Sequence, residues 1–402
     1  MRCERNEAAG FTLIELVVVM GLLTIFAAFL VQLMGTSVGL FQQGERGQDL
    51  ADRADAAARA VEQPIQDMLG PAATDGGGRG AGTRMLVQWV PAVDGNATST
   101  AATIAAPRVQ VLRAAVRIDE RTEERLLRPV LFAEAKATAE GKTQADIEER
   151  LRQLVAEAPR AGRASMVLVA RPAGDPEAAF FSVRRLLQLP GQRLPIDRRR
   201  DVDVMEVVEV GGQDLPWAVY DQASESIAED VIHLEFALWS QFTRGWDQRI
   251  GDGGPEYSWD SARGGWFGES NDPREMFALD VGPQSLDDPT DDVFPRWVKI
   301  TLVVAAPVGS EAILAGELRA GDRNVDVIDE SLLPDPKDMP FVKIGREWVR
   351  VGTLGGRSLR GLVRGQRGTK PLDHAAGTRV RVGRTVELFV RVAHGKDSWN
   401  GD

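Results

Sequence analysis

From Leu16 through Gln43 the chain carries no ionisable residue, and just ahead of that run a single carboxylate, Glu15, stands five positions after Gly10. A helix needs about 20 apolar residues to cross the hydrocarbon core, and this run exceeds that. A charged side chain in such a segment costs about 2.5–3.5 kcal/mol at the helix centre, so Glu15 needs a partner. The leader, residues 1–10, sets Arg2 and Arg5 against Glu4 and Glu7. An ordinary secretory signal places its small-residue cleavage site after the apolar run and loses the run with it. Here the small residue comes first. A cut between Gly10 and Phe11 would leave the apolar helix as the new N-terminus.

This order of leader, Gly10, Phe11 and an apolar run opened by Glu15 resembles the class III signal of type IV prepilins and type II secretion pseudopilins. The resemblance implies that a prepilin peptidase cleaves between Gly10 and Phe11 and that Phe11 is then N-methylated. It also gives Glu15 an assembly role, facing the Phe11 ammonium of a neighbouring subunit. A plain signal anchor would account for the run, but not for the joint placement of Gly10, Phe11 and Glu15.

The helix is expected to continue past the membrane. Leu50, Ala54, Ala57, Val61, Ile65 and Met68 recur at three and four, with charges on the other faces. Pro64 should kink it and Gly70-Pro71 should stop it. The glycine-rich stretch from Asp75 to Gly82 reads as a connector. Strands are predicted at Met85–Val90, Val109–Ile118, Ser165–Ala170, Phe180–Leu189, Val202–Val210, Val231–Trp239, Val298–Ala305 and Thr385–Val392. One further helix is predicted at Ala133–Ala158. The fold class is therefore α+β and pilin-like: a long N-terminal helix packed on a mainly antiparallel sheet. The expected divisions are a leader at 1–10, a transmembrane helix at 11–36 and its periplasmic extension at 37–70. A β-rich domain takes 71–309 and 385–402, with an inserted basic β-module at 310–384.

The passage from Val231 to Val303 sharpens the resemblance. A strand is followed by Gly245-Trp246-Asp247, a loop bearing Trp259 and Trp266, and then Phe294-Pro295-Arg296 before another strand. This is similar to the late part of a J-type minor pseudopilin. The resemblance implies a minor pseudopilin of a type II secretion pseudopilus, anchored once in the inner membrane with its C-terminal domain in the periplasm. Its partners would be other minor and major pseudopilins, the prepilin peptidase, the inner-membrane assembly platform and membrane lipid. A type IV minor pilin whose insert binds DNA, a glycan or a surface is the alternative.

The insert matches no pilin pattern and resembles a small β-module of phage-tail and other surface proteins. Between Phe341 and Arg384 eleven Lys and Arg residues face only Glu347 and Asp373, a net +9 in a chain of net charge −11, so the rest carries −20. Such asymmetry marks either a docking face or the solvent faces of short strands neutralised by acidic stretches. If the insert is a true excursion, replacing it with a short linker should leave near-native melting.

Composition narrows the chemistry. The single cysteine, Cys3, lies in the leader, so the processed chain would have neither a disulfide nor a thiol nucleophile. The overall acidity argues against nucleic-acid binding. His233, His374 and His394 lack metal-ligand spacing, and His233 and His374 read as surface residues. No nucleophile elbow or phosphate loop is present, so no enzyme and no cofactor are expected. The acidic loops of 247–292 leave room for calcium without assigning ligands.

Overall fold

The computed structural model describes residues 13–69, 85–91, 108–138, 143–158, 160, 162–172, 180–189, 194–197, 200–202, 223–240, 245–247, 258–261, 265–267, 277–278, 294–306 and 311–392. Two compact units divide the chain, one ending at Asp52 and the other beginning at Arg53. Helix α1 (Leu13–Gln66) contributes to both.

In the second unit the alanine-rich stripe of α1 is buried. Ala54, Ala57, Ala58, Val61, Ile65 and Met68 are all nearly inaccessible. Burying each of the larger three contributes about 1.5–3 kcal/mol. The helix ends two residues after Pro64, so little helix remains for a kink to redirect. The chain then pairs with a strand: the Leu69 amide donates to Ala115 O at 2.8 Å and the Arg117 amide to Asp67 O at 2.8 Å.

The main sheet has eleven strands, all paired antiparallel. Its long members are β1 (Leu86–Pro91), β2 (Arg108–Arg117), β3 (Arg163–Pro172) and β4 (Phe181–Gln188). A separate short hairpin, β5 (Leu194–Asp197) with β6 (Arg200–Val202), follows, and the predicted strand at Val202–Val210 lies otherwise outside the described residues. The sheet continues with β7 (Glu225–Ser240), β8 (Gly245–Asp247), β9 (Ser258–Asp260), β10 (Gly265–Phe267), β11 (Phe277–Ala278) and β12 (Trp297–Ala305). Strand β7 changes neighbours partway. Its first half pairs with β4 and its second with β12, and Asp230, at φ 56°, sits at the changeover. Aspartate tolerates that left-handed conformation better than most residues. Beyond the end of β4, Gln110 of β2 substitutes for a strand neighbour. Its carbonyl accepts from the Phe236 amide and its amino group donates to Phe236 O.

The single helix predicted at Ala133–Ala158 is instead two, α2 (Glu120–Thr138) and α3 (Gln144–Glu157), carried between β2 and β3. The break is a capping box. The Asp146 amide donates to the Thr143 hydroxyl, and the Asp146 carboxylate accepts from the Thr143 amide at 2.9 Å. Upstream, Pro129 disguises a helix whose Leu126, Leu127 and Leu131 are half-buried.

After β12 the chain forms a module of two small sheets around its own core, which includes Leu314, Leu318, Val327, Ile344, Val349, Leu359 and Val380. One sheet joins β13 (Ala312–Ile313), β15 (Phe341–Ile344), β16 (Glu347–Arg350), β19 (Val363–Gln366) and β20 (Arg379–Arg381). The other joins β14 (Asn324–Asp326), β17 (Thr353–Gly355) and β18 (Ser358–Arg360). The chain then returns to the main sheet as β21 (Gly383–Arg391), paired with β12 over nine residues without a register shift. At that seam a Cβ on Gly383 would lie 2.3 Å from Val304 O, so only glycine fits.

Candidate functional site

The first candidate is the N-terminal part of α1. Leu13–Val38, 26 residues, forms a helix long and apolar enough to cross a membrane, and none of it is buried. At 1.5 Å per residue it spans about 39 Å, more than the hydrocarbon core requires. Two of its hydroxyls bond within the helix, Thr24 to Met20 O at 2.8 Å and Thr36 to Gln32 O at 2.9 Å. Such bonds to the carbonyl four residues back satisfy these two hydroxyls inside the helix. Glu15 lies in the first turn, where a negative charge complements the helix dipole. Gly10 and Phe11 lie outside the described residues.

The second candidate is the joint between the module and the outer face of β7 and β12. Trp348 of β16 packs with Ile232, Val303 and Ala305, and Phe180 and Phe341 close the cluster. Lys343 of β15 is 2% exposed. Its ammonium donates to Ile232 O at 2.9 Å and lies 4.4 Å from the centre of the Phe181 ring. Arg367 lies over both Phe341 and Trp348 at 4.5 Å. Burial pushes the Arg367 guanidinium down to about 10 against the pull of Glu235 and Glu387, so it stays charged at neutral pH. Arg381 bonds Glu311 at 2.9 Å and lies over Phe180 at 4.8 Å. These cations are neither solvent faces nor a docking face turned outward. Three of the eleven cations are thus turned onto the joint with the host sheet, where ring faces and the Ile232 carbonyl replace water. Six others, Arg350, Arg357, Arg360, Lys370, Arg379 and Arg384, remain exposed, as the solvent faces of short strands would be.

Both described histidines depart from the surface positions expected of them. His233 is 7% exposed because the module covers β7, with Nε2 2.9 Å from Glu235 Oε2 and its ring in a T-shaped contact with Trp348 at 5.6 Å. His374 is equally buried, its Nε2 2.9 Å from Glu347 Oε2.

Glu347 is the node that the sequence did not reveal. Its carboxylate, fully buried, accepts from Arg364 Nε at 2.8 Å and Nη2 at 2.6 Å. The amides of Gly365 at 2.8 Å and Leu372 at 3.0 Å also donate to it. Burial alone would raise its pKa, but the bonds from His374, Arg364 and the two amides hold it down at about 2. One carboxylate thus fastens β16 to the segment after β18. An acid at strand position 347 between a glycine turn and Trp348, followed by arginine and histidine, was the available signal.

Among the described residues no group of three His, Cys, Asp or Glu side chains is placed to hold a metal. Most of the 247–292 loops lie outside the described residues.

Comparison with curated proteins and with solved structures finds no match for the chain. The prokaryotic N-terminal methylation motif matches residues 5–31, the stretch that includes Gly10, Phe11, Glu15 and the start of the apolar helix. That motif, with the spanning helix behind it, marks the chain as a membrane-anchored type IV prepilin-like protein, of a class that is structural rather than catalytic.

Proposed function

We propose that the protein is a minor pseudopilin, a structural subunit at or near the tip of the periplasmic pseudopilus of a type II secretion system. The methylation motif on an exposed apolar helix carries this reading. In it, prepilin peptidase cuts between Gly10 and Phe11, Phe11 is N-methylated, and Glu15 neutralises the new ammonium of a neighbouring subunit. The domain from Arg53 onward stands in the periplasm and makes specific contacts with other minor and major pseudopilins. The J-type assignment has local support: Phe294 is fully buried directly ahead of Pro295, Arg296 and β12, and β12 pairs with β7.

Glu15→Ala tests the mechanism. Membrane insertion should hold, because an expensive charge is removed, while incorporation into filaments should fall several-fold as the ammonium loses its counter-ion. Wild-type incorporation would refute the pairing. Deleting the gene separates the two filament systems. Folded exoproteins retained in the periplasm support the secretion role; normal secretion with lost surface adhesion or DNA uptake supports a type IV minor pilin. The exposed cations of the module favour that second reading only if they bind a ligand.

A further inference from the structure

We propose that the joint between the module and the main sheet is a pH-sensitive latch, closed while His233 is neutral and released when His233 takes up a proton. The inference does not depend on which filament the chain enters.

The geometry carries it. His233 is enclosed by groups from both sides of the joint. From its own strand Glu235 offers Oε2 at 2.9 Å. From the module come Lys343 on β15, Trp348 on β16 and Arg367 after β19. Opposite, β12 presents the neutral Thr301 and Val303, paired with Glu235 and His233 respectively. Glu387 of β21 is paired with Lys299 at 2.7 Å. Protonating His233 in place would add a third cation beside Lys343 and Arg367, with one carboxylate adjacent and an indole ring in place of solvent. Burial, Arg367 and Lys343 accordingly hold the imidazole below its ordinary range, against the hydrogen bond and the charge of Glu235.

Lifting the module removes the influences that lower the imidazole pKa. The two cations and Trp348 leave with the module, whereas Glu235 stays beside His233 on β7. The open state therefore binds the proton that the closed state rejects. A group whose protonation is favoured on opening makes the closed state lose stability as pH falls below the ordinary imidazole value of about 6.5. One proton taken up makes the opening constant rise by up to tenfold per pH unit below that value. Glu347, the other buried carboxylate node, titrates near 2 and does not interfere in this window.

Hydrogen exchange tests the latch on the full-length chain in detergent micelles, corrected for intrinsic rates, between pH 7.5 and 5. Peptides covering 341–350 and 228–238 should show the opening constant rising up to tenfold per unit below pH 6.5. In His233→Gln the rise should shrink to less than twofold. A flat wild-type profile overturns the proposal, as does an unchanged slope in the variant. If His233→Gln does not fold, ring-proton NMR of the wild type decides alone, helped by there being only three histidines in the chain. A His233 midpoint below 6.5 supports the latch, and one at or above 6.5 overturns it.

Discussion

Glu347 shows how one buried side chain can decide the stability of a whole module. Glu347→Ala leaves Arg364 and His374 without their carboxylate in a closed space, and breaking such a group from one side costs about 3–5 kcal/mol. Proteolysis should then open the module while β2, β3 and β4 remain protected. The pH dependence follows from the depressed carboxyl, about 2 against an ordinary 4.5. Its contribution, about 3 kcal/mol at 1.36 kcal/mol per unit, is fully present above pH 4.5 and disappears as pH falls toward 2. Acid melts from pH 5 to 2 should show that loss in the wild type and not in Glu347→Gln. Gly383 is the second decisive residue. Gly383→Ala drives a methyl against Val304 O at the seam of β12 and β21 and should cost about 1–3 kcal/mol, read as a lowered melting temperature with an unchanged spectrum. Neither residue was legible as critical in the sequence. The donors to Glu347 lie 17 to 27 residues away, and the Gly383 contact exists only once β21 has paired.

At the scale of elements, the central strands were readable because their apolar residues recur every second position or form short unbroken runs. Thus β2, β3, β4, β12 and β21 lie within a few residues of their predicted spans, and β7 extends further upstream. The α2–α3 hairpin was not, because Pro129 and a dense charge pattern mask α2 and the Thr143–Asp146 cap lies inside one continuous helical periodicity. The burial of His233 was not either, since its cover comes from Trp348, more than a hundred residues later. The joint also changes what excision of residues 310–384 should do. Removing the module uncovers Ile232, Val303 and Ala305 and strips Lys343 from Ile232 O. The expectation moves from near-native melting to a sheet that folds but has lost roughly 2–4 kcal/mol, on the usual transfer value for the side chains exposed. Trp348→Ala isolates the effect in the intact chain. It should cost about 3–5 kcal/mol, and a loss below 1 kcal/mol by denaturant titration would show that the module and sheet barely support each other.

Across the whole molecule, an apolar N-terminal helix precedes a sheet domain that buries its own alanine-rich helix face, with a β-module docked on β7 and β12. The pattern most specific in the sequence, Gly10, Phe11, the run after Glu15, is also the stretch that the methylation motif covers. It was legible because a carboxylate beside an unbroken apolar run is physically costly and so rare without a purpose. The module's role was not legible, because a count of arginines does not say which ones face inward. The central claim is that the chain is processed and assembled as a pilin-like subunit, and intact-mass and N-terminal peptide spectrometry of the protein extracted from membranes tests it most directly. The account predicts a chain starting at an N-methylated Phe11, with residues 1–10 gone and the apolar helix kept. A chain beginning at Met1, or one cut after the apolar run, would contradict it.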